Sequence, residues 1–253
     1  MPNDTERGFI PRPTTQIIAS AVQWARDRRR PSLIVGVGGI GKTTTLRHIA
    51  STTIAAHLLT ITTSRNSNKN LLEAVARSFG LHSSREHAAD IEEVIWAHMP
   101  MAADYGHFIM VDEAQNLDLD ALRSLLFLND EFRIPIVVAG NHQVLKQRRT
   151  KTSPFDTING RLFYRVSLEA VSREDVVAFA IEYDVEGKDA QDLLVRFGLA
   201  SSLRDVAAVL EEARVLVGPS KPIRLPDVKE AISFLRGSDA VRTLATDKKR
   251  SAA

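Results

Sequence analysis

Short apolar runs alternate with amphipathic segments along the first two thirds of the chain. Such nearly continuous apolar runs predict buried strands of a parallel sheet that is covered on both faces. The segments between them repeat apolar side chains every three or four residues, which predicts helices. Strands that alternate with helices predict an α/β fold with right-handed βαβ connections. The predicted strands are residues 32–36 (SLIVG), 57–62 (HLLTIT), 107–112 (HFIMVD), 134–139 (IPIVVA) and 163–168 (FYRVSL), and the predicted helices begin near Thr15 and then cover 42–54, 69–79, 90–99 and 118–129.

After about residue 170 the strand pattern stops. Helical spacing continues through residues 173–183, 188–197, 202–215 and 226–236, which predicts a small all-helical C-terminal domain. Three prolines among polar residues predict a flexible start of the chain. We therefore divide the chain into a flexible N-terminal arm (1–14), an α/β core (15–169), a helical domain (170–238) and a flexible basic tail (239–253).

The composition fits one large domain or two small ones. The chain has 253 residues, of which 44% are hydrophobic and 25% charged, and these values exclude a disordered or coiled-coil protein. It has no cysteine, which excludes disulfide frameworks and cysteine-ligated zinc and fits a reducing compartment. No window approaches about 18 consecutive apolar residues, and the first residues lack the apolar stretch of a signal peptide. We therefore expect a cytoplasmic protein without a membrane segment.

The segment after the first predicted strand has the spacing G-x-x-x-x-G-K-[ST] of a phosphate-binding loop. It leaves a buried strand and enters a helix, so its backbone N–H groups and the helix N-terminus point at a phosphate. Lys42 is expected to neutralise phosphate charge, and the Thr43 hydroxyl is expected to ligate Mg²⁺. We therefore predict an ATP and Mg²⁺ site formed by Gly36, Val37, Gly38, Gly39, Ile40, Gly41, Lys42, Thr43 and Thr44.

An acidic pair, Asp112 and Glu113, ends the third predicted strand. An acidic residue at the carboxyl end of such a strand lies beside the phosphate loop. We expect Asp112 to hold Mg²⁺ through water and Glu113 to polarise the attacking water, a pairing that suits hydrolysis. After the fourth strand, Asn141 is a candidate for holding that water or sensing the phosphate, and His142 is a weaker one. The alternatives are an acidic pair that only caps a strand and polar loop residues that are only solvated.

These elements resemble the AAA+ ATPases. The GVGGIGKT loop, the HFIMVDEAQ strand, the VVAGN strand and the C-terminal helices match that family in order, over roughly residues 15–238. The resemblance implies a five-stranded parallel sheet of order 5-1-4-3-2, a helical lid and hydrolysis between neighbouring subunits. It also implies an arginine that acts on the neighbour's ATP, here Arg161 or as second choice Arg165, and a lid arginine at a helix start, here Arg204. A structural salt bridge is the alternative role for these arginines.

Within that family the chain is most similar to the MuB and TnsC group of transposition regulators. The arginine run that ends the first helix, the AGN strand end with its basic continuation and the SLRDV lid helix carry this closer resemblance. It implies ATP-dependent helical filaments on DNA that recruit and stimulate a transposase in a bacterial or phage-infected cell, close to the nucleoid. MuB has an N-terminal helix-turn-helix domain, whereas 31 residues precede the first strand here, so we expect any DNA contact to come from the ATPase body.

Other readings share part of this pattern. Helicase loaders of the IstB and DnaC type and ExeA-like secretion ATPases are the nearest alternatives. A nucleotide-switched scaffold without hydrolysis is the non-enzymatic alternative, and Glu113 argues against it. NB-ARC-type signalling ATPases normally carry Asp-Asp at the acidic pair, and ParA-like ATPases carry an early loop lysine; this chain has neither feature.

Basic residues are clustered although the formal net charge is only +2. Residues 141–165 contain six basic residues and one acidic residue. Clustered cations predict sequence-independent, salt-sensitive contacts with the phosphates of double-stranded DNA, and the scarcity of aromatic residues argues against stacking on single strands. A basic surface that stays solvated is the alternative. The candidate DNA contacts are Lys146, Arg148, Arg149 and Lys151 in this cluster, and Arg65, Lys69 and Arg85 in or near the segment after the second strand, which the resemblance implies faces DNA.

Overall fold

The computed structural model describes residues 8–81, 87–145, 161–162, 164–241 and 243. These residues fall into two compact units. One contains residues 17–37 and 42–169, and the other contains residues 1–16, 38–41 and 170–253, each as far as described. The strands are β1 (Ser32–Gly36), β2 (Ala56–Thr60), β3 (Phe108–Asp112), β4 (Ile136–Gly140) and β5 (Tyr164–Leu168), and the helices are α1 (Pro13–Arg28), α2 (Lys42–Thr52), α3 (Asn68–Ser78), α4 (Ala88–Asp104), α5 (Leu119–Phe132), α6 (Arg173–Glu182), α7 (Lys188–Ala200), α8 (Leu203–Val217) and α9 (Leu225–Arg236).

The five strands form one parallel sheet of order β2-β3-β4-β1-β5. This confirms the predicted α/β fold and its strand order. Every residue of β1, β3 and β4 is buried, as expected for the central strands of a sheet covered on both faces. The edge strands β2 and β5 alternate between buried and more exposed positions.

Helix α4 is longer than its sequence pattern predicts. The predicted helix stops before Pro100, but α4 continues through Pro100 to Asp104. A proline inside a helix removes one backbone hydrogen bond and normally ends or kinks the helix. Here Pro100 is exposed, while Met99, Ala102 and Ala103 are buried in the core of the sheet-containing unit. Burial of those three side chains therefore keeps the helix going past the proline.

A cluster of imidazoles lies where β2 meets α3 and α4. His57 is buried, its Nδ1 lies 2.9 Å from the Ser78 carbonyl, and its Nε2 lies 2.7 Å from Nδ1 of His107. The Phe79 ring stacks on His57 with 3.6 Å between ring centroids, and His98 meets Phe79 edge-on. Burial lowers the pKa of His57 to about 4, and the nearby His107 and His98 act in the same direction.

The second unit joins the start of the chain to its C-terminal helices. The carboxylate of Asp175, in the first turn of α6, is fully buried. It accepts hydrogen bonds from the Thr14 backbone N–H (3.0 Å), the Thr14 hydroxyl (2.5 Å) and the Ser172 hydroxyl (2.7 Å). A buried charge requires such partners, because unpaired burial is costly.

The last residues of the predicted flexible arm are held in place by these contacts. Residues 1–7 lie outside the described part of the chain, but Arg12 and Thr14 are buried. Helix α1 begins at Pro13, whose fixed φ suits a first helical position. At the other end, residues 238–241 continue as helix after Gly237, and residues 244–253 of the predicted tail lie outside the described residues. Every helix of the described ranges is too short or too polar to cross a lipid bilayer.

Candidate functional site

The carboxyl ends of β1, β3 and β4 meet at one edge of the sheet. Strand β4 lies between β1 and β3 and is parallel to both. The residues that follow these strands, the loop after Gly36, the acidic pair Asp112 and Glu113, and Asn141, are therefore brought to the same edge. Ligands of open α/β sheets bind at this edge.

The predicted phosphate loop connects β1 to α2. The ammonium of Lys42 is buried and donates hydrogen bonds to the carbonyls of Gly36 (2.8 Å) and Val37 (3.0 Å). Gly39 and Gly41 have φ of +75° and +100°, a conformation that side-chain-bearing residues rarely adopt. Two of the glycines that identify the loop in the sequence are therefore required by the backbone conformation of the loop.

Thr43 and Asp112 are joined directly. The Thr43 hydroxyl, in the first turn of α2, donates a 2.6 Å hydrogen bond to Oδ2 of Asp112. Asp112 is buried, and its other oxygen, Oδ1, has no hydrogen-bond partner among the described residues. A buried carboxylate oxygen without a partner is energetically costly unless a cation or water completes it.

Glu113 is held by Gln115. Glu113 adopts a left-handed backbone conformation (φ 56°, ψ 36°), and the Nε2 group of Gln115 donates a hydrogen bond to its Oε2. The Oε1 atom of the same Gln115 accepts a 3.2 Å hydrogen bond from the backbone N–H of Asn141. The Gln115 side chain therefore connects the end of β3 to the end of β4.

Two C-terminal residues contact the loop at Gly39. The backbone N–H of Arg204, at the start of α8, donates a 3.1 Å hydrogen bond to the Gly39 carbonyl. A β-carbon at Gly39 would lie 2.9 Å from the side chain of Ser202. The start of α8, which carries the predicted lid arginine Arg204, therefore lies against the glycines of the loop.

Arg12 contacts the loop at Gly41. Its guanidinium lies over the Phe179 ring, 4.4 Å from the centroid, and its Nη2 lies 3.0 Å from where a β-carbon of Gly41 would be. Burial lowers the pKa of Arg12, while the nearby Asp175 carboxylate acts in the opposite direction. The sequence offers no signal for this arginine, because residues 12 and 41 are far apart in the chain.

The two candidate arginine fingers lie elsewhere. Arg161 forms a 2.8 Å ion pair with Asp130 of α5, and both side chains are partly exposed. Arg165 is exposed on β5, and its Nε donates to the Leu162 carbonyl (3.3 Å). Arg161 precedes β5, so it lies at the amino edge of the sheet, opposite the edge where the phosphate loop leaves β1.

Of the predicted DNA contacts, Arg65 and Lys69 fall in the described residues. Arg65 is exposed in the loop after β2, and Lys69 is exposed on α3 and lies 3.7 Å from Glu73. The loop is attached to the segment after β3, since Asn116 donates to the Ile61 carbonyl (2.9 Å) and the Asp118 N–H donates to the Asn66 carbonyl (3.1 Å). The other candidates lie outside the described residues: Arg85, Lys146, Arg148, Arg149 and Lys151.

Comparison with known proteins finds similar sequences and a similar fold. Residues 25–147 match the AAA domain family. The chain is 23% identical over 188 residues to the ATP-dependent target DNA activator B of Escherichia phage Mu, covering 74% of this chain and 59% of that protein. It is also 23% identical over 181 residues to the Mu-like prophage FluMu DNA transposition protein B of Haemophilus influenzae, covering 70% of this chain and 62% of the relative. The chain thus spans about three fifths of the length of these curated relatives.

A solved structure shows the same fold. Cdc6p from Pyrobaculum aerophilum superimposes with a TM-score of 0.65 at 15% identity, over 90% of this chain and 69% of that chain. Together with the sheet order, this similarity establishes an AAA+ P-loop fold. The chain therefore has the AAA+ fold, matches the AAA domain family over residues 25–147 and is similar to the MuB-like AAA+ ATPases.

Proposed function

We propose that this protein is an ATP-dependent AAA+ ATPase that binds double-stranded DNA without sequence preference. It assembles on target DNA as a helical filament and there recruits and stimulates a transposase. The nucleotide part of the proposal rests on the hydrogen bond between Thr43 and Asp112. Next to it, the Lys42 ammonium is hydrogen-bonded to the Gly36 carbonyl of the same loop. The task is supported by two relatives named as a target DNA activator and a DNA transposition protein.

The residues around Asp112 fit a magnesium site. Mg²⁺ prefers oxygen ligands, and two are available here: the Thr43 hydroxyl and Oδ1 of Asp112, which has no hydrogen-bond partner within the described ranges. Thr43 would hold the ion directly, and Asp112 would hold it through water. Bound Mg²⁺ supplies charge neutralisation on the phosphates of ATP.

Glu113 is the proposed base for hydrolysis. Its carboxylate would orient the attacking water and accept its proton, while Asn141, on the adjacent strand, would hold the same water or the terminal phosphate. Lys42 would neutralise the charge on the phosphates. Arg204 would reach the nucleotide from the start of α8, whose N–H is already bonded to Gly39.

Arg161 would act on the ATP of a neighbouring subunit. It lies before β5, and one five-residue strand spans about 17 Å, so Arg161 is far from its own phosphate loop. Its ion pair with Asp130 is partly exposed, and such pairs contribute at most about 1 kcal/mol, so the arginine can exchange partners. Hydrolysis that needs two subunits requires self-association.

DNA contacts are proposed for Arg65 and Lys69, together with the sequence candidates outside the described residues. Cations that meet phosphates give affinity that is independent of base sequence and falls with salt. We place the protein in the cytoplasm, associated with the nucleoid.

Electron microscopy and binding assays with double-stranded DNA, comparing ATP with ADP at low salt, test the proposal. We expect filaments and a DNA shift with ATP, neither with ADP, and neither for Lys42→Ala. Glu113→Gln is expected to retain ATP-dependent assembly and to lose turnover by about 100-fold or more. Glu131→Gln, an exposed acid on α5, is the charge-matched control.

Two outcomes would contradict the proposal. One is that ATP plus DNA gives neither filament nor shift. The other is that Glu113→Gln hydrolyses ATP at the wild-type rate, which would remove Glu113 from the reaction. Capture of a replicative helicase instead of a transposase would favour a helicase loader.

A further inference from the structure

We propose that Gln115 is a positioning residue that sets the orientation of the Glu113 carboxylate by fixing it to the end of β4. This inference rests on the proposed function, because it assigns a role within the same hydrolytic site. Gln115 bonds to Glu113 and Asn141, the two residues proposed to orient the attacking water, so its effect is expected on the rate of hydrolysis and not on nucleotide affinity.

The first support is that both ends of one amide group are used. The N–H₂ side of Gln115 donates to Glu113, and the carbonyl side accepts the backbone N–H of Asn141. Because an amide donates at one end and accepts at the other, these two bonds fix which way the group points. Glu113 is thereby tied to a strand end instead of rotating freely.

The second support is the packing at Gly140. A β-carbon at Gly140 would lie 2.6 Å from Oε1 of Gln115, and it would also collide with Val144. A residue with a side chain at position 140 would therefore displace Gln115. Because Gly140 has no side chain, Gln115 can pack against the end of β4. Its position is therefore fixed by packing as well as by hydrogen bonds.

The third support is the backbone of Glu113. A non-glycine residue in the left-handed region is uncommon, because its β-carbon crowds the neighbouring backbone oxygen. Such strain persists where the surroundings fix the residue, and it often marks functional positions. The turn Ala114–Asn116 follows directly. It folds the chain back, so that the side chain of Gln115 lies next to that of Glu113.

A catalytic base that must meet one water depends on its orientation. Partners that orient a reacting group commonly contribute 10- to 100-fold, by holding it near the productive geometry. Without Gln115, Glu113 keeps its charge but samples more rotamers. The expected result is a lower kcat for ATP hydrolysis, by about 10-fold, with KM and the ATP dissociation constant unchanged.

The test uses the full chain and steady-state ATPase kinetics with double-stranded DNA. Gln115→Met keeps the length of the side chain but loses both hydrogen bonds. Gln115→Glu keeps the acceptor for Asn141 but, when ionised, cannot donate to Glu113. Gln23→Met is the matched control, since it makes the same substitution at an exposed glutamine of α1 whose amide donates to Asp27 of the same helix (2.6 Å). We expect both Gln115 variants to lose kcat and the control to retain it.

A double-mutant cycle separates a positioning role from a general structural one. If Gln115 acts through Glu113, Gln115→Met in the Glu113→Gln background gives no further loss of the single-turnover rate. A further 10-fold loss there, an equal kcat loss in the control Gln23→Met, or a wild-type kcat in Gln115→Met would overturn the inference alone. Absence of turnover in the wild-type protein would overturn the proposed function as well.

Discussion

The Thr43 hydroxyl donates a 2.6 Å hydrogen bond to Oδ2 of Asp112, and so joins the first turn of α2 to the carboxyl end of β3. The two residues are 69 positions apart in the chain, and both are the ones that the sequence assigns to a metal. The second carboxylate oxygen is buried without a partner among the described residues, which leaves one acceptor for a hydrated cation.

Asp112→Asn tests that acceptor. The amide keeps an oxygen for the Thr43 hydroxyl and removes a buried charge, so we expect the variant to fold. It should lose the Mg²⁺ dependence of ATP binding and about 10- to 100-fold in turnover, because the water-held cation loses its charged partner. Titrations of ATP with and without Mg²⁺ measure this, with exposed Asp120→Asn as the control. An unchanged Mg²⁺ dependence would place the cation elsewhere.

Gly39→Ala should disturb the phosphate loop. Its φ of +75° costs a side-chain-bearing residue roughly 1–2 kcal/mol, and the new methyl group would meet Ser202 at 2.9 Å. We expect a lower melting temperature and loss of ATP binding. Gly80→Ala, outside the loop, is the control, because Gly80 also has a positive φ (+69°) and no atom lies within 4 Å of its β-carbon position. Equal damage in both variants would argue against the packing of Ser202 on Gly39 as the cause.

Mixing two inactive variants tests whether Arg161 acts between subunits. Glu113→Gln is expected to assemble with ATP and offers Arg161 but lacks the base, and Arg161→Ala has the base but lacks the arginine. We expect each to be inactive alone and an equal mixture on DNA to recover activity at about one quarter of its interfaces, since assembly of the two is random. The same mixture made with Arg165→Ala addresses the second candidate. If no Arg161 mixture regains turnover, the arginine does not act in trans.

Arg65→Ala should weaken DNA binding about equally for all sequences. Removing one cation that meets a phosphate lowers the slope of log K against log salt by about 1. Binding of unrelated duplexes, measured from low to moderate salt, checks both points. Arg123→Ala, an exposed arginine on α5 paired with Asp120, is the matched control. A slope identical to that of the wild type would exclude Arg65 from the interface.

The imidazole cluster predicts a loss of stability in acid. The pKa of His57 is about 4 in the folded chain and 6.5 ordinarily, so between these values the unfolded chain binds a proton that the folded chain does not. The free energy of unfolding therefore falls as pH drops from 6.5 towards 4, by at most about 3 kcal/mol, and is unaffected by this group above that window.

Urea unfolding at pH 7.5, 5.5 and 4.5 measures that loss. His57→Phe retains an aromatic ring against Phe79 and cannot titrate, so its stability should depend less on pH than that of the wild type. His87→Gln, an exposed histidine before α4, should keep the wild-type slope. If the free energy of unfolding fell equally with pH in the wild type and in His57→Phe, His57 would not be the group responsible.

The central architecture could be predicted because it depends on local patterns. Apolar runs locate the strands, and the loop spacing and acidic pair locate the carboxyl edge of β1 and β3. Even the cap of α5 is local, since Asp118 accepts from the Ala121 N–H at 2.8 Å.

The remainder depends on contacts between distant residues, which periodicity does not report. Pro100 stays in a helix because of what Met99 packs against. Arg12 reaches Gly41, and Gln115 reaches Asn141, only after the chain has folded. The roles of these polar residues follow from the meeting of separate elements.

The hydrogen bonds of Thr14 to Asp175 span 161 residues of sequence. A protein shortened to begin at Ile17 would retain every strand of the sheet, yet α6 would keep a buried carboxylate stripped of two of its donors. Proteolytic removal of the first residues, or a fusion partner attached close to Arg12, is therefore expected to destabilise the C-terminal helices first. Expression of the helical part as a separate fragment would need the residues around Thr14 as well as the C-terminal helices.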